Sequence, residues 1–142
     1  ENNNSIVLRN PKSTRPWQHV LEPISGYLLL ANKLYNKEKN VHGSFNFGPN
    51  SSETKNVEEV ALEICKIIGK GKVRIKENIK DFKEANLLQL NCDKSFHYLS
   101  WKPRWDTSKT LNMTAQWYKR YLNGDKVRDI TMDHLYDYFG NF

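Results

Sequence analysis

Three side chains that could bind a phosphorylated ligand lie close together in one proline-punctuated run of the sequence. Arg15, Trp17 and His19 alternate with other residues between Pro11 and Pro23. Proline pushes the residue before it toward extended conformations, so we expect the three side chains to share one face. Arginine offers a planar fork of donors to phosphate oxygens, and a flat indole suits an aromatic base. The run therefore indicates a site for a ligand with phosphate and base; the alternative is an ordinary loop with a surface arginine and a core tryptophan.

The same run resembles a known signature. Residues 9–28, RNPKSTRPWQHVLEPISGYL, resemble the signature of the CDP-glucose 4,6-dehydratases, sugar-nucleotide enzymes of the extended short-chain dehydrogenase/reductase superfamily. Residues 43–49 resemble the strand that follows the helix of that signature. Residues 88–94 and 99–105 resemble the C-terminal lobe of the family. The similarity runs in the right order over residues 6–138.

The dinucleotide-binding motif of that superfamily is not found in the sequence. No Gly-x-x-Gly-x-x-Gly occurs among the seven glycines. The nearest match to the family's catalytic Tyr-x-x-x-Lys pair, Tyr98 with Lys102, ends against Pro103 and lies in the wrong part of the pattern. We interpret it as accidental and assign no catalytic or cofactor-binding residue. Residues 1–142 are predicted to be a single unit, the C-terminal substrate-binding part of a dehydratase whose N-terminal NAD-binding domain lies outside this chain.

The resemblance also implies a reaction for the complete enzyme, a lyase. It would bind NAD tightly, oxidise C4 of CDP-glucose, eliminate water across C5–C6 and return the hydride to C6. The product, CDP-4-keto-6-deoxyglucose, would serve the deoxysugars of O-antigen and lipopolysaccharide. The full-length protein would be a homo-oligomer, a dimer, and this chain alone is expected to be inactive. The near alternative is another epimerase or dehydratase of the superfamily that acts on a different nucleotide sugar.

Four residues are candidates for substrate binding by this resemblance. Arg15 would contact the pyrophosphate and Trp17 would line the same pocket, whereas His19 is expected to be a structural hydrogen-bonder rather than a base. Glu84 matches the glutamate of a family His-Glu-Ala run, in which Lys83 replaces the histidine. The Glu84 carboxylate could accept hydrogen bonds from sugar or ribose hydroxyls; the alternative is a solvated surface group.

Composition argues against a membrane protein, a secreted protein, a disulfide-rich protein and a metal-binding protein. The sequence has no uninterrupted apolar run near eighteen residues, so no transmembrane helix is expected. Residues 1–5 have neither the basic start nor the apolar middle of a signal peptide. Cys65 and Cys92 are too few for a disulfide framework, so a cytoplasmic location is predicted. The four histidines have no partners at ligand spacing, and no metal site is predicted.

The charge of the chain raises a distant alternative. Twenty-two Lys and Arg residues oppose sixteen Asp and Glu residues, which gives a net charge of +6. A basic nucleic-acid-binding module could use Trp17, Trp101 and Trp105 as stacking platforms. The positive residues are dispersed along the chain, however, and a dispersed positive field favours an anionic small substrate. We therefore expect a CDP-sugar as the partner, and neither nucleic acid nor membrane.

Hydrophobic periodicity predicts a mixed α/β protein, an α+β fragment, with several clear elements. A helix should begin near Leu21 or Glu22, pack an apolar face against a sheet and end within residues 36–40. A second helix is marked by Asn56 as N-cap and Glu59 three residues later, with Gly69 as its stop. Strands are predicted at residues 5–9, 44–47, 73–77 and 87–90. Further helices are predicted at residues 93–99, from Thr107 or Ser108 onward, and at residues 132–139 with Thr131 as cap.

Overall fold

The computed structural model of the protein describes residues 5–76 and 86–140. Two strands pair in parallel, with a register that runs from Ser5 opposite Lys72 to Leu8 opposite Ile75. A parallel pair needs a crossover connection, and here that connection contains two helices. The mixed α/β prediction is confirmed. The elements, in order, are β1 Ser5–Leu8, α1 Leu21–Tyr35, α2 Val57–Ile68, β2 Lys72–Ile75, α3 Asp93–Leu99, α4 Thr107–Leu122 and α5 Val127–Phe139.

Both ends of α2 form as the sequence predicts. The Asn56 side chain accepts from the backbone N–H of Glu59 at 2.9 Å, and the Glu59 carboxylate accepts from the N–H of Asn56 at 2.7 Å. This reciprocal capping box satisfies two N–H groups at the helix start. At the other end, Gly69 adopts the left-handed conformation with φ of 79°, which glycine reaches without a steric penalty.

Helix α1 has the predicted boundaries, but the predicted apolar face points away from the core. Leu28 is 61% exposed and Tyr35 is 86% exposed, and the buried residues of the helix are Leu21, Glu22 and Gly26. The close approach at Gly26 shows why this other face is buried. A Cβ atom there would lie 2.3 Å from the Phe47 ring, so only glycine lets the aromatic ring pack against the helix.

Two groups of buried side chains hold the described helices together. Phe47 and Trp101 meet edge to face with ring centroids 5.0 Å apart, in a cluster with Val41 and Leu99 that joins α1 to α3 and the segments beside them. A second group lies where α4 packs against α5 and the neighbouring segments. Its members are Leu111, Ala115, Ile130 and Tyr138.

Two predicted strands do not form in the described part of the chain. Residues 44–47 and 87–90 have no strand ladder, although Leu87 makes an isolated parallel bridge with Thr14. A strand needs a neighbouring strand to pair with, and the described sheet contains β1 and β2 only. β-Propensity in the sequence is therefore insufficient to make these segments strands here.

One predicted helix start is also wrong. Helix α5 begins at Val127 rather than near Met132, and Thr131 lies inside it, where its hydroxyl accepts a hydrogen bond from the Trp117 indole at 3.2 Å. The N-cap of α3 is Cys92. Helix α3 begins at Asp93, as predicted, and the Asn91 side chain accepts from the N–H of Asp93 at 2.9 Å.

Candidate functional site

The backbone of the proline-punctuated run is fixed at Thr14. The N–H of Thr14 donates to the carbonyl of Asn86 at 2.8 Å, and Thr14 makes isolated bridges with Asn56 and Leu87. Two segments distant in sequence thus meet at the residue before Arg15. Extended geometry at Thr14 is what the following proline at position 16 favours for the start of the run.

The alternation of faces predicted for the run is wrong beyond Arg15. The N–H of Trp17 donates to the carbonyl of Arg15 at 2.9 Å, which closes a tight three-residue turn around Pro16. Such a turn interrupts the two-residue period of an extended chain. Trp17 and His19 consequently contact different parts of the molecule.

Arg15 is half-buried beside this turn. One guanidinium nitrogen, Nη1, donates to the carbonyl of Thr14 at 2.7 Å. That contact orients the planar guanidinium relative to the fixed backbone of the run.

The Trp17 indole is half-buried against the loop before α2. Its Nε1 donates to the carbonyl of Lys55 at 2.9 Å. Lys55 in turn forms an ion pair with Glu63 on α2 at 3.0 Å. The indole is therefore held by a directed hydrogen bond, which limits its rotation.

His19 is buried and contacts the backbone and aromatic rings of the protein. Its Nδ1 accepts from the N–H of Leu21 at 3.3 Å, and its ring lies 4.8 Å from the Trp105 ring and 5.5 Å from the His134 ring, centroid to centroid. Burial, with the neighbouring His134, lowers the pKa of His19 to about 4. Burial also lowers the pKa of His134, and the Arg120 cation acts in the same direction. The His19 imidazole is thus neutral at pH 7.

The carboxylate of Glu22 is buried and accepts hydrogen bonds from three residues distant in sequence, and we call it the polar centre of the molecule. The sequence predicts only that Glu22 lies near the start of α1. Glu22 is 1% exposed. Its oxygens accept from the backbone N–H of Arg104 at 3.1 Å, from the N–H of Trp105 at 2.9 Å and from the Tyr138 hydroxyl at 2.6 Å. Burial and this carboxylate raise the pKa of Tyr138 well above its usual range. A buried carboxylate is stable only with such donors.

No local signal in the sequence could identify Glu22 as buried. Its partners lie more than eighty residues along the chain, and its neighbours in the first turn of a helix make it look like an ordinary N-terminal acidic residue. The only available clue is its place inside the segment that carries the family resemblance.

The N-terminus of α2, a possible anion site, is closed by the protein itself. The N–H groups of Val57 and Glu58 donate to the carbonyls of Ser13 and Pro11, both at 3.0 Å, and the third donates to Asn56. Helix N-termini bind phosphate through such N–H groups. Because α2 uses them internally, these N–H groups are not available to a phosphate near this run.

A cleft of about 470 Å³ lies beside His19, away from the residues that suit a phosphate. Arg15 and Trp17 are not among its lining residues, and no lysine or arginine lines it. Its two imidazoles are neutral at pH 7, so the cleft offers no cation to an anionic ligand. The lining residues are Gln18, His19, Val20, Leu21, Thr114, Trp117, Tyr118, Thr131 and His134.

The described residues also bear on thiol chemistry, metal binding, membrane insertion and base stacking. Burial raises the pKa of the Cys92 thiol, which disfavours the nucleophilic thiolate form. Within residues 5–76 and 86–140, no group of three His, Cys, Asp or Glu side chains converges as a metal site would require. No helix in the described ranges is long and apolar enough to cross a membrane.

Trp101, one of the three tryptophans considered for nucleic-acid stacking, is buried. It is 5% exposed and its Nε1 donates to the Ser25 hydroxyl, so it cannot serve as a stacking platform for a base.

The structure brings only some of the predicted site residues together. Arg15 and Trp17 flank one turn, but His19 contacts the α4–α5 side of the protein. Glu84 lies outside the described residues. Asn86, two positions later in the sequence, is bonded to Thr14 and so lies next to Arg15 in the structure.

Comparison with known proteins identifies one sequence relative. CDP-glucose 4,6-dehydratase from Salmonella typhimurium (strain LT2) is 35% identical to the chain over 138 residues. The match covers 97% of this chain and 38% of the relative, so the chain spans well under half of the relative's length. The resemblance stated above is therefore confirmed over almost the whole chain. No protein-family model matches the sequence.

Solved structures of two sugar-nucleotide enzymes share the fold. A UDP-galactose 4-epimerase superposes with a TM-score of 0.63 at 16% identity, over 85% of this chain and 37% of that one. The dTDP-glucose 4,6-dehydratase of Bacillus anthracis, solved with NAD, superposes with a TM-score of 0.61 at 22% identity, over 82% of this chain and 34% of that one. The protein therefore has the fold of the C-terminal part of extended short-chain dehydrogenase/reductase structures.

Replacement of Glu22 tests its role as the polar centre. Glu22→Ala should lower the free energy of unfolding by at least about 3 kcal/mol, because three buried donors lose their acceptor. Tyr138→Phe removes one of these bonds and should cost about 1.5–3 kcal/mol, the range for a hydrogen bond to a charged group. Urea unfolding followed by circular dichroism measures both. Glu38→Ala, at an exposed ion pair with Lys33, is the control and should change stability by less than about 1 kcal/mol. A Glu22→Ala protein as stable as this control would contradict the assignment.

The buried imidazole of His19 predicts a pH dependence of stability. Because its pKa is lower in the folded protein than the usual 6.5, the unfolded chain binds more protons between pH 6.5 and about 4. The stability due to neutral His19 should thus be complete above pH 6.5 and decline as the pH falls toward 4. His19→Phe cannot be protonated and should reduce this decline, whereas His97→Phe, at an exposed position, should not. Urea unfolding at a series of pH values would show the difference, and equal slopes for the three proteins would disprove it.

Proposed function

We propose that this chain is the C-terminal, nucleotide-sugar-binding part of a CDP-glucose 4,6-dehydratase, which converts CDP-glucose to CDP-4-keto-6-deoxyglucose and water. The observation that carries the proposal is the 35% identity to such an enzyme over 97% of the chain. The shared fold with an epimerase and a second dehydratase of sugar nucleotides supports the class of substrate. The enzyme would be a lyase that depends on NAD.

The described residues do not provide a dinucleotide site. The sequence has no glycine-rich turn of the required kind. The N–H groups that open α2 donate to Pro11, Ser13 and Asn56, and the N–H of Thr107 at the start of α4 donates to the Glu53 carboxylate at 2.9 Å. We therefore assign NAD binding to a part of the full-length protein outside this chain, and derive no catalytic step from the residues present.

The proposed role of this chain is to hold the CDP-sugar. Arg15 would form charge-assisted hydrogen bonds to the pyrophosphate, the interaction for which the guanidinium geometry is best suited. Trp17, held by Lys55, would form one wall of the same pocket. Glu84 would accept hydrogen bonds from hydroxyl groups of the substrate. His19 would stabilise the proline-punctuated run through its packing and would not transfer protons, because it is buried and neutral.

The nearest alternative is an epimerase or dehydratase for a different nucleotide sugar. It is favoured by one observation, the structural likeness to enzymes that act on UDP-galactose and dTDP-glucose. Competition by CDP, UDP, GDP and dTDP for the same site of the full-length protein would separate the two. Strongest competition by CDP supports the dehydratase of CDP-glucose, whereas preference for another nucleotide supports the alternative.

The same proposal implies a cellular location and an oligomeric state for the enzyme. Both cysteines of the chain are free thiols, as is usual for proteins of the reducing cytoplasm. We place the full-length enzyme there as a homodimer, where it would supply a deoxysugar precursor for O-antigen and lipopolysaccharide.

Arginine 15 provides the direct test of nucleotide binding. Arg15→Ala in the full-length protein should weaken CDP binding by roughly 1.5–3 kcal/mol, the contribution of hydrogen bonds to a charged group. Arg128→Ala, an exposed arginine on α5, is the matched control and should leave the affinity unchanged. Isothermal titration calorimetry with CDP measures both variants. Unchanged affinity in Arg15→Ala would remove the pyrophosphate assignment.

A further inference from the structure

The cleft of about 470 Å³ beside His19 has the size of a small-molecule site, and the proposed function does not use it. It lies between the start of α1 and the helices α4 and α5, which contribute Leu21, Trp117 and His134 to its lining. None of its lining residues is a lysine, arginine, aspartate or glutamate. We call it the His19 cleft.

Two aromatic side chains of α4 form adjoining walls of this cleft. The rings of Trp117 and Tyr118 meet at 77° with their centroids 5.3 Å apart. The Trp117 indole is fixed in place, because its Nε1 donates to the Thr131 hydroxyl at 3.2 Å and its ring stacks on Tyr121 at 21°. Walls of this kind suit a flat ring, which packs against aromatic groups by offset stacking and by edge-to-face contact.

The imidazole of His134 is a buried polar group in the cleft wall that has no partner. Its residue is 5% exposed and lines the cleft. Its ring lies 5.5 Å from the His19 ring, centroid to centroid, but makes no hydrogen bond to another described residue. Buried polar side chains nearly always have a hydrogen-bond partner. A molecule in the cleft can supply the one that His134 lacks.

The two imidazoles together offer a donor and an acceptor. Nδ1 of His19 accepts from the N–H of Leu21 at 3.3 Å, so the neutral ring carries its proton on Nε2 and is a donor there. Burial lowers the pKa of both His19 and His134, so both rings are neutral at pH 7. A neutral His134 has one acceptor nitrogen and one donor nitrogen. A ligand that both donates and accepts is therefore matched by this pair.

The uncharged lining selects against ionised ligands. A charge that moves from water into a cleft without a counter-charge loses its hydration and gains no ion pair. A sugar is matched poorly as well, because several of its hydroxyl groups would meet apolar side chains such as Val20 and Leu21. The lining therefore favours an aromatic molecule with few polar atoms.

We propose that the His19 cleft binds an uncharged, planar aromatic molecule that donates a hydrogen bond to one imidazole and accepts one from the other. The ring would pack against Trp117 and Tyr118, and His19 and His134 would bind its polar edge. This site differs from the one proposed for the nucleotide sugar, since Arg15 does not line it. It would give the full-length protein a second small-molecule ligand besides its substrate.

Benzimidazole is a suitable probe of the cleft. It is flat, largely uncharged at about pH 8, and has one N–H donor and one nitrogen acceptor. Its binding to the full-length protein is measured by isothermal titration calorimetry, with CDP and NAD present so that nucleotide sites are filled, and is compared with that of benzoate and glucose. We expect benzimidazole to bind, benzoate to bind at least about tenfold more weakly because it is ionised, and glucose not to bind.

Three variants locate the bound probe. His134→Phe keeps a ring of similar size but removes both nitrogens, and should weaken benzimidazole binding by about five- to tenfold through the lost hydrogen bond. Thr114→Phe adds a ring to the α4 wall of the cleft and should abolish binding. His97→Phe, the same change as the first at an exposed position outside the cleft, should leave the affinity unchanged.

Each outcome decides the proposal. No binding of benzimidazole, or equal binding by the unaltered protein and Thr114→Phe, would overturn it. Tighter binding of benzoate or glucose would assign a different ligand chemistry and overturn it as well. Circular dichroism establishes which variants fold, and if His134→Phe does not fold, Thr114→Phe and the three ligands still give a decision.

The nucleotides in the titration separate this inference from the proposed function. Benzimidazole binding that occurs only without CDP and NAD would place the probe in a nucleotide site and overturn the inference. A protein that binds benzimidazole in the cleft but does not bind CDP would retain the inference and contradict the proposed function.

Discussion

The buried carboxylate of Glu22 is the interaction on which the described structure depends. It stands in the first turn of α1 and accepts from the backbone of residues 104 and 105 and from Tyr138 at the end of α5. Three parts of the chain that share no local sequence relation are thereby brought to one point. An unpaired charge at this depth would be strongly destabilising, so the arrangement holds only when all three parts are in place. This requirement makes the position of α1, and of the run that leads into it, a property of the whole fold.

The backbone of the proline-punctuated run is fixed by hydrogen bonds to the segments on either side of it. The carbonyls of Pro11 and Ser13 satisfy the first N–H groups of α2, and Thr14 is bridged to both flanking segments. These main-chain bonds leave the Arg15 and Trp17 side chains at a fixed turn. Rigid placement of a guanidinium reduces the entropy lost when it binds a phosphate, which supports the role proposed for Arg15.

Local features of the fold could be predicted from the sequence, and features set by distant contacts could not. The capping box of Asn56 and Glu59 and the stop at Gly69 are encoded within a few residues, and both were predicted correctly. Helix α1 has apolar residues on both faces, so periodicity could not tell which face meets the core; Gly26 beneath Phe47 decides it. Residues 44–47 have the composition of a strand but no partner among the described residues. For the site, the resemblance indicated Arg15 and Trp17, while the shared face with His19 failed at the turn around Pro16.

The first N–H groups of α2 and α4 donate to acceptors of the protein itself. The first N–H groups of α2 donate to Pro11, Ser13 and Asn56, and those of α4 donate to the Glu53 and Asp106 carboxylates. These N–H groups are therefore not available to an anion, and two of their acceptors carry negative charge. Near these two helix starts an anion would depend on side-chain cations, and the sequence has an excess of them, with a net charge of +6. This use of the helix starts supports the proposal that the cofactor binds to a part of the full-length protein outside this chain.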